Sequence, residues 1–123
     1  MTRRRVLVVD DEGDIRLSVG LALRLAGYEV LEAATGQDAV RSVVEESPDA
    51  VLLDLRLPDI DGWTVLERLE NLGHFPQVPV VIGSADAAPA SRHRALDAGC
   101  AGYLVKPFEP AALIALLAEP ALR

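Results

Sequence analysis

Short apolar runs alternate along the whole chain with segments of helical periodicity, and this alternation constrains the fold more than any other feature of the sequence. The runs are rich in Val, Leu and Ile and span residues 6–9, 28–31, 50–53, 79–82 and 102–105. Between them, apolar residues recur three and four positions apart, the spacing of an amphipathic helix. Strict alternation of strand and helix predicts a parallel sheet with helices on both faces.

Five strand–helix pairs predict an α/β fold, a doubly wound (βα)5 three-layer sandwich. We expect the flavodoxin-like strand order 2-1-3-4-5. Gly27, Gly73 and Gly99 stand where three of the helices should end. Because the chain has only 123 residues and half of them are apolar, one hydrophobic core and one domain over residues 1–123 are expected.

The net charge and the cysteine content limit which partners the protein binds and in which cellular compartment it is found. The formal net charge of −7 argues against direct binding of nucleic acid or of an anionic membrane surface. Arg3 to Arg5 lead into too few apolar residues for a secretory signal, and no run is long enough to span a membrane. The single cysteine, Cys100, fits a reducing compartment. We therefore expect a cytoplasmic protein.

Polar residues come at the carboxyl ends of four of the predicted strands, where function collects in sheets of this kind. They are Asp10 and Asp11, Asp54, Ser84, and Lys106. Three carboxylates meeting at one sheet edge repel each other, which favours a hard divalent cation such as Mg²⁺. Capping of the following helix explains any one of these residues equally well, but all of them together favour a site.

Four motifs in this order make the chain resemble the receiver domains of two-component response regulators, the CheY-like superfamily, over residues 4–117. The motifs are Val-Val-Asp10-Asp11-Glu12, Leu-Leu-Asp54-Leu-Arg-Leu-Pro58-Asp-Ile-Asp61-Gly62, Ser84-Ala85 and Gly102-Tyr103-Leu-Val-Lys106-Pro107-Phe108. The resemblance implies a phosphoprotein of a phosphorelay. It accepts a phosphoryl group from a sensor histidine kinase or a phosphotransfer protein and assists its own phosphorylation and dephosphorylation without being an enzyme.

The resemblance also implies roles for the residues at the strand ends. Asp54 would be the nucleophile that becomes an aspartyl phosphate, and Lys106 and the Ser84 hydroxyl would hold the phosphoryl oxygens. Ala85 would leave room for the phosphoryl group.

A metal site follows from the same resemblance. Asp11, Asp54 and the main-chain carbonyl of Arg56 would bind Mg²⁺, which Mn²⁺ can replace. Asp10 would help, often through water.

Other positions bear on switching. By the resemblance, phosphorylation draws Ser84 inward, Tyr103 turns from an exposed to a buried rotamer, and the output face lies at the fourth helix, fifth strand and fifth helix, roughly 90–118. The Lys106–Pro107 bond is expected to be cis. Gly83 is unusual at its position, and the missing side chain is expected to loosen the loop that carries Ser84.

Arg56 and Asp86 occupy positions that tune the lifetime of the phosphoryl group in this family. Their opposite charges suggest an ion pair across the mouth of the site that hinders hydrolysis, although two solvated side chains are an equal alternative. The neighbouring run from Asp59 to Gly62 is interpreted as the turn into the third helix, because Pro58 argues against a central strand.

The sequence leaves open what the receiver domain acts on. Either the chain acts alone through a downstream protein, or it is a receiver whose effector domain is missing. We expect a monomer, with dimerisation through the fourth helix, fifth strand and fifth helix upon phosphorylation. A receiver-like interaction module that works without phosphorylation is the alternative function.

Overall fold

Each predicted strand and helix is present in the computed structural model, which describes residues 3–122; the remaining residues of the predicted domain, 1, 2 and 123, lie outside this range. The elements in chain order are β1 (Arg5–Val9), α1 (Gly13–Leu25), β2 (Glu29–Ala33), α2 (Gly36–Glu46), β3 (Ala50–Leu53), α3 (Gly62–Asn71), β4 (Val80–Ser84), α4 (Pro89–Ala98), β5 (Gly102–Val105) and α5 (Pro110–Leu117), followed by a short 3₁₀ turn at Pro120–Leu122. All strand pairs are parallel. The strand order is β2-β1-β3-β4-β5, so the predicted doubly wound fold is confirmed.

Alternate residues of the strands enter two separate cores, because successive side chains of a strand point to opposite faces. On one face, Leu7 and Val9 of β1 pack with residues of α2, α3 and α4. On the other, Val6 and Val8 pack with residues of α1 and α5. Burial on both faces is the reason that the strands read as continuous apolar runs.

Strand boundaries differ from the predicted ones where pairing continues beyond the apolar run. β2 extends to Ala33 because its backbone pairs with Val9 of β1. β4 extends to Ser84 because Gly83 and Ser84 pair with β5. Ser84 is therefore the last residue of its strand rather than the residue after it. Backbone hydrogen bonds determine where these strands end, and the hydropathy of the sequence does not reveal those bonds.

The run after Pro58 forms the predicted turn into α3, and its two aspartates hold two different helices. Asp61 caps α3 by accepting a hydrogen bond from the Thr64 N–H at 2.8 Å. Asp59 instead reaches the start of α2, where its carboxylate accepts from the N–H groups of Gly36 and Gln37 at 2.8 and 2.9 Å. Both aspartates of this run therefore stabilise helix N-termini.

Within residues 3–122, no helix combines the length and the apolar character that crossing a membrane would require.

Candidate functional site

The register of the central strands brings two aspartates side by side at the carboxyl edge of the sheet. Val9, the last residue of β1, pairs with Leu53, the last residue of β3. Each is followed by an aspartate, Asp10 and Asp54, and the Asp54 N–H donates to the Val9 carbonyl at 3.0 Å. Both aspartates are buried, with only 3% and 5% of their surface exposed. Two buried carboxylates that lie side by side require a cation to balance their charge.

Lys106 supplies that cation from the end of β5. Its Nζ lies 2.6 Å from Asp10 Oδ2 and 3.0 Å from Asp54 Oδ2. Burial opposes the charged ammonium, but the hydrogen bonds to both carboxylates outweigh it, so the pKa of Lys106 is raised above its ordinary value. The Lys106 N–H donates to the Ser84 carbonyl at 2.8 Å. Lys106 is therefore fixed at both its backbone and its side chain.

The second oxygen of each buried aspartate is held by the loop that follows it. Asp10 Oδ1 accepts from the Glu12 N–H at 2.9 Å, and Asp54 Oδ1 accepts from the Arg56 N–H at 3.1 Å. Each carboxylate thus has one oxygen on the backbone and one on Lys106. These bonds fix the orientation of both groups before any ligand arrives.

An acidic cluster lies beside this ion-paired centre. Carboxylate oxygens of Asp10, Asp11 and Glu12 lie within 4.8 Å of one another, and Asp11 and Glu12 are exposed. A cleft of about 260 Å³ opens here and is lined by Asp11, Glu12, Asp54, Arg56, Ala85 and Lys106. Carboxylate oxygens facing a solvent-filled cleft are the donors that Mg²⁺ prefers. The residues present therefore fit this ion.

This cluster differs in one member from the set implied by the resemblance. The cluster consists of Asp10, Asp11 and Glu12, so it includes Glu12 and leaves out Asp54. The resemblance assigns no role to Glu12. Its position next to two aspartates in the loop after β1 was the available signal, since three consecutive acidic residues before a helix exceed what capping requires.

Ser84 lies next to Lys106 at the ends of β4 and β5, and it contacts Asp86 in the loop that follows. Ser84 is buried, and its Oγ accepts from the Asp86 N–H at 3.2 Å. The Asp86 carboxylate accepts from the Ala88 N–H at 2.9 Å and from the Ser91 hydroxyl. The Ser91 and Ala88 bonds lower the pKa of Asp86, and the charge of Arg56 adds a smaller effect.

The ion pair suggested between Arg56 and Asp86 is not formed among the residues that the structure describes. The hydrogen bonds of Asp86 to the start of α4 turn its carboxylate toward that helix, so this hypothesis is wrong in its direct form. Arg56 lines the cleft, and its charge still acts on the Asp86 carboxylate.

Tyr103 occupies a buried position, with 5% of its surface exposed. Its hydroxyl donates to the Asp86 carbonyl at 2.6 Å. The Arg92 guanidinium lies 5.9 Å from the ring centre and donates to the Tyr103 carbonyl at 3.2 Å. Burial, followed by the charge of Asp86, raises the pKa of the Tyr103 hydroxyl. The side chain thus connects β5 with both the loop after Ser84 and helix α4.

Two expectations from the sequence concern the backbone near Lys106, namely the Lys106–Pro107 bond and Gly83. The Lys106–Pro107 bond is cis, as is Phe75–Pro76. The expectation that Gly83 loosens the neighbouring loop is not supported, because a Cβ at Gly83 would lie 3.0 Å from Leu52 and 3.1 Å from the Phe108 ring. Phe108 fills the space that a side chain would have taken.

A scan against family models matches residues 6–118 to the response regulator receiver domain. Among curated proteins, the transcriptional regulatory protein PrrA of Mycobacterium tuberculosis is 44% identical over 115 residues. The match covers 94% of this chain but 48% of PrrA, so the chain spans about half the length of that relative.

Solved structures agree with the family match. A receiver domain protein (CheY-like) from Methanospirillum hungatei superposes with a TM-score of 0.88 at 30% identity, covering 98% of this chain and 94% of the other. The receiver domain of the Pseudomonas aeruginosa sensor histidine kinase PA1611, solved with a magnesium ion coordinated in its active site cleft, gives 0.84 at 34% identity and covers 94% and 95%.

Proposed function

Because this chain belongs to the response regulator receiver domain family, we propose that it accepts a phosphoryl group on Asp54 from the phosphohistidine of a partner protein. The observation that carries this proposal is the Asp54 carboxylate, buried at the end of β3 and 3.0 Å from the ammonium of Lys106. The charge of this carboxylate is balanced by Lys106, and the cleft that Asp54 lines is open to a phosphoryl donor. Such a carboxylate can act as a nucleophile.

In the transfer, an Asp54 carboxylate oxygen forms a bond to phosphorus while the bond from phosphorus to the histidine nitrogen breaks. The leaving nitrogen keeps the electron pair of the broken bond, and a proton on the other ring nitrogen makes the leaving group a neutral imidazole. Negative charge spreads over the three phosphoryl oxygens, and positioned cations and donors stabilise it. Lys106 and the Ser84 hydroxyl are the groups of this chain that can take that role. Ala85, with its small side chain, borders the same cleft.

Mg²⁺ would be held by Asp11, Asp54 and the Arg56 carbonyl, with Asp10 and Glu12 nearby, and Mn²⁺ could replace it. When bound, the ion supplies positive charge against the phosphoryl oxygens and against the crowded carboxylates. The magnesium ion coordinated in the cleft of the PA1611 receiver domain supports this assignment. From this chain, the cluster of Asp10, Asp11 and Glu12, whose carboxylate oxygens lie within 4.8 Å of one another, supports an acidic metal site beside Asp54.

For switching, we propose that Ser84 responds to the new phosphoryl group and that Tyr103 transmits the response to α4, β5 and α5. Support comes from the hydrogen bond of the Tyr103 hydroxyl to the loop after Ser84. Arg56 and Asp86 remain the proposed determinants of phosphoryl lifetime. Without a direct ion pair, they act separately, Arg56 from the lining of the cleft and Asp86 from the loop after Ser84.

The proposed setting is a cytoplasmic two-component system, with residues 1–123 as one receiver domain and a sensor histidine kinase or phosphotransfer protein as phosphoryl donor. The relatives PrrA and PhoB are about twice as long as this chain. An effector domain in the same polypeptide and a separate downstream protein are therefore both open as outputs.

The decisive experiment measures intact mass after incubation with acetyl phosphate and Mg²⁺. We expect the mass of one phosphoryl group to be gained by the native chain and by Asp97→Ala, an exposed aspartate on α4. No gain is expected for Asp54→Ala or in EDTA. A folded native chain that never gains mass would overturn the proposal and favour the interaction module that works without phosphorylation.

A further inference from the structure

Arg16 of α1 contacts the main chain of the loop after β1, residues 10–12, which carries the acidic cluster. Its Nη1 donates to the Asp10 carbonyl at 2.7 Å. Its Nε donates to Oε1 of Glu32, in β2, at 3.2 Å. Only 21% of the Arg16 side chain is exposed. One planar guanidinium therefore joins α1, β2 and the acidic loop, and its rigid shape fixes the direction of both hydrogen bonds.

The two hydrogen bonds of the Asp10 main chain hold the loop from opposite ends of this residue. The Asp10 N–H donates to the Ala33 carbonyl at 3.1 Å, and the Asp10 carbonyl accepts from Arg16. That carbonyl and the Asp11 nitrogen belong to one planar peptide group. A fixed direction of the Asp10 carbonyl therefore fixes the direction in which the chain enters Asp11.

The main chain matters for Asp11 because its side chain is not held in place. Asp10 and Asp54 are oriented by Lys106 and by backbone N–H groups. Asp11 is exposed, and its carboxylate forms neither an ion pair nor a hydrogen bond with another residue of the range 3–122. The position of this carboxylate therefore depends on the backbone that carries it.

The acidic side chains of the loop do not cap the helix that follows. Glu12 is the N-cap residue of α1, yet in the described part of the chain its side chain makes no capping hydrogen bond. Thr35 and Asp61, at the same position of α2 and α3, do cap their helices. The carboxylates of the loop thus stay available to a ligand, and Arg16 holds the loop in their stead.

We infer that Arg16 is a positioning residue for the metal site. It fixes the peptide group between Asp10 and Asp11 and thereby directs the Asp11 carboxylate toward the bound ion. The inference rests on the proposed function for the identity of that ion, Mg²⁺. Removing a group that orients a metal ligand without touching the metal typically weakens metal binding by about 10- to 100-fold.

The charge of Arg16 acts in the opposite direction to this role. A guanidinium beside an acidic metal site repels a cation, and Glu32 offsets part of that repulsion. Arg24 carries the same charge on the same helix, and its Nη2 lies 3.9 Å from the other oxygen of Glu32. Unlike Arg16, it has no hydrogen bond to the described acidic loop. The two arginines therefore separate the effect of the hydrogen bond to Asp10 from the effect of charge.

Mg²⁺ binding by Arg16→Met and Arg24→Met tests the inference. The ¹⁵N-labelled chain is titrated with MgCl₂ at constant ionic strength, and the amide signals are followed by NMR. We expect the Kd for Mg²⁺ to rise at least roughly tenfold in Arg16→Met and to stay within about twofold of the native value in Arg24→Met. Loss of charge alone predicts tighter binding in both variants, so the direction of the change distinguishes the two explanations.

Arg16→Lys separates charge from geometry in a second way. It keeps the positive charge but lacks the planar fork that joins Asp10 to Glu32. We expect Mg²⁺ binding to weaken in this variant too, by a smaller factor than in Arg16→Met. Native-like binding by Arg16→Lys together with weakened binding by Arg16→Met would show that the charge of Arg16 matters and the geometry of its hydrogen bonds does not, which would overturn the inference.

Order parameters from ¹⁵N relaxation, measured in EDTA, test the loop without the metal. For the Asp11 and Glu12 amides we expect about 0.85 in the native chain and in Arg24→Met, and below about 0.6 in Arg16→Met. Unchanged order in Arg16→Met, tighter Mg²⁺ binding by it, or equal losses in both methionine variants would each overturn the inference. A native chain that binds no Mg²⁺ would instead remove the metal from the proposed function, and the order parameters would still decide whether Arg16 fixes the loop.

Discussion

The ring of Phe108 lies 3.1 Å from the point where a side chain on Gly83 would begin. Gly83 is buried in β4, one residue before Ser84, and Phe108 follows Lys106 by two residues. The glycine therefore lets the loop after β5 pack directly on β4. This contact joins β4, which ends at Ser84, to the loop that begins with Lys106.

Filling the space at Gly83 is expected to destabilise the protein. A Cβ there meets Leu52 at 3.0 Å as well as Phe108, and Gly83→Val adds two further methyl groups to a packed core. We expect a loss of about 1–3 kcal/mol in the free energy of unfolding, measured with urea. Gly83→Ala should lose less, because it adds only the Cβ, and its restriction of the unfolded chain offsets part of the strain.

Gly13→Ala is the control for this series, since its Cβ would meet only the end of the Arg16 side chain, at 3.6 Å. It should leave stability unchanged or raise it slightly. A native-like stability for Gly83→Val would show that Phe108 moves away at little cost.

Lys106 is expected to stabilise the site as well as to bind phosphoryl oxygens. In Lys106→Met, the buried carboxylates of Asp10 and Asp54 lose their cation. In EDTA we expect the free energy of unfolding to fall by about 2–4 kcal/mol, and added Mg²⁺ to recover part of the loss. Arg41→Met is the control, because its ion pair with Asp38 is exposed and contributes at most about 0.5 kcal/mol. Equal losses for the two variants would contradict this interpretation.

The sequence predicted the strand order and the meeting of Asp10, Asp54 and Lys106, because hydropathy patterns and strand ends are local features. It did not predict contacts that depend on side-chain direction. Asp86 turns toward Ser91 rather than Arg56. Which partner such a side chain contacts depends on the groups that the fold brings within reach of it.

The same limit applies to the helix caps and to Gly83. Nothing in the order of residues indicates that Asp59 caps α2, because the two are joined by a contact 22 to 23 positions apart. The absence of a side chain at Gly83 looked like a loss of packing, since a sequence does not show that Phe108 fills the space.

The hydroxyl of Tyr103 is expected to hold the loop after β4. Tyr103→Phe removes the 2.6 Å hydrogen bond to the Asp86 carbonyl and should lower the free energy of unfolding by about 0.5–1.5 kcal/mol. Tyr28→Phe is matched to it, because Tyr28 is half-buried and its hydroxyl has no hydrogen-bond partner among the described residues. If both changes cost the same, the hydroxyl of Tyr103 does not hold the loop.

Cys100 is expected to be unreactive in the folded protein. Burial raises the pKa of its thiol from 9.0 to about 12, which reduces the reactive thiolate roughly a thousandfold at pH 8. Alkylation by iodoacetamide should therefore be at least about a hundredfold slower in buffer than in urea. Ser18→Cys in a Cys100→Ala background, at an exposed position, should react at similar rates in both. Rapid labelling of native Cys100 would show that α4 opens frequently.

Asp59 is expected to make stability depend on acid. Desolvation favours its neutral form, but the hydrogen bonds from the Gln37 and Gly36 N–H groups outweigh this effect and lower its pKa from 3.8 to about 2. Because the folded value lies below the ordinary one, the stabilisation is present above about pH 4 and is lost as the pH falls toward 2. Asp59→Asn should therefore be less stable than the native chain at pH 6, and the two should converge near pH 2.

Urea unfolding at several pH values measures this convergence, and Asp97→Asn, at an exposed aspartate of α4, is the control that should follow the native chain throughout. A constant difference between Asp59→Asn and the native chain from pH 6 to pH 2 would mean that the carboxylate charge contributes nothing. In that case the capping of α2 would rest on the shape of the side chain, which asparagine shares, or on Thr35, whose side chain also accepts from the Asp38 N–H at 3.1 Å.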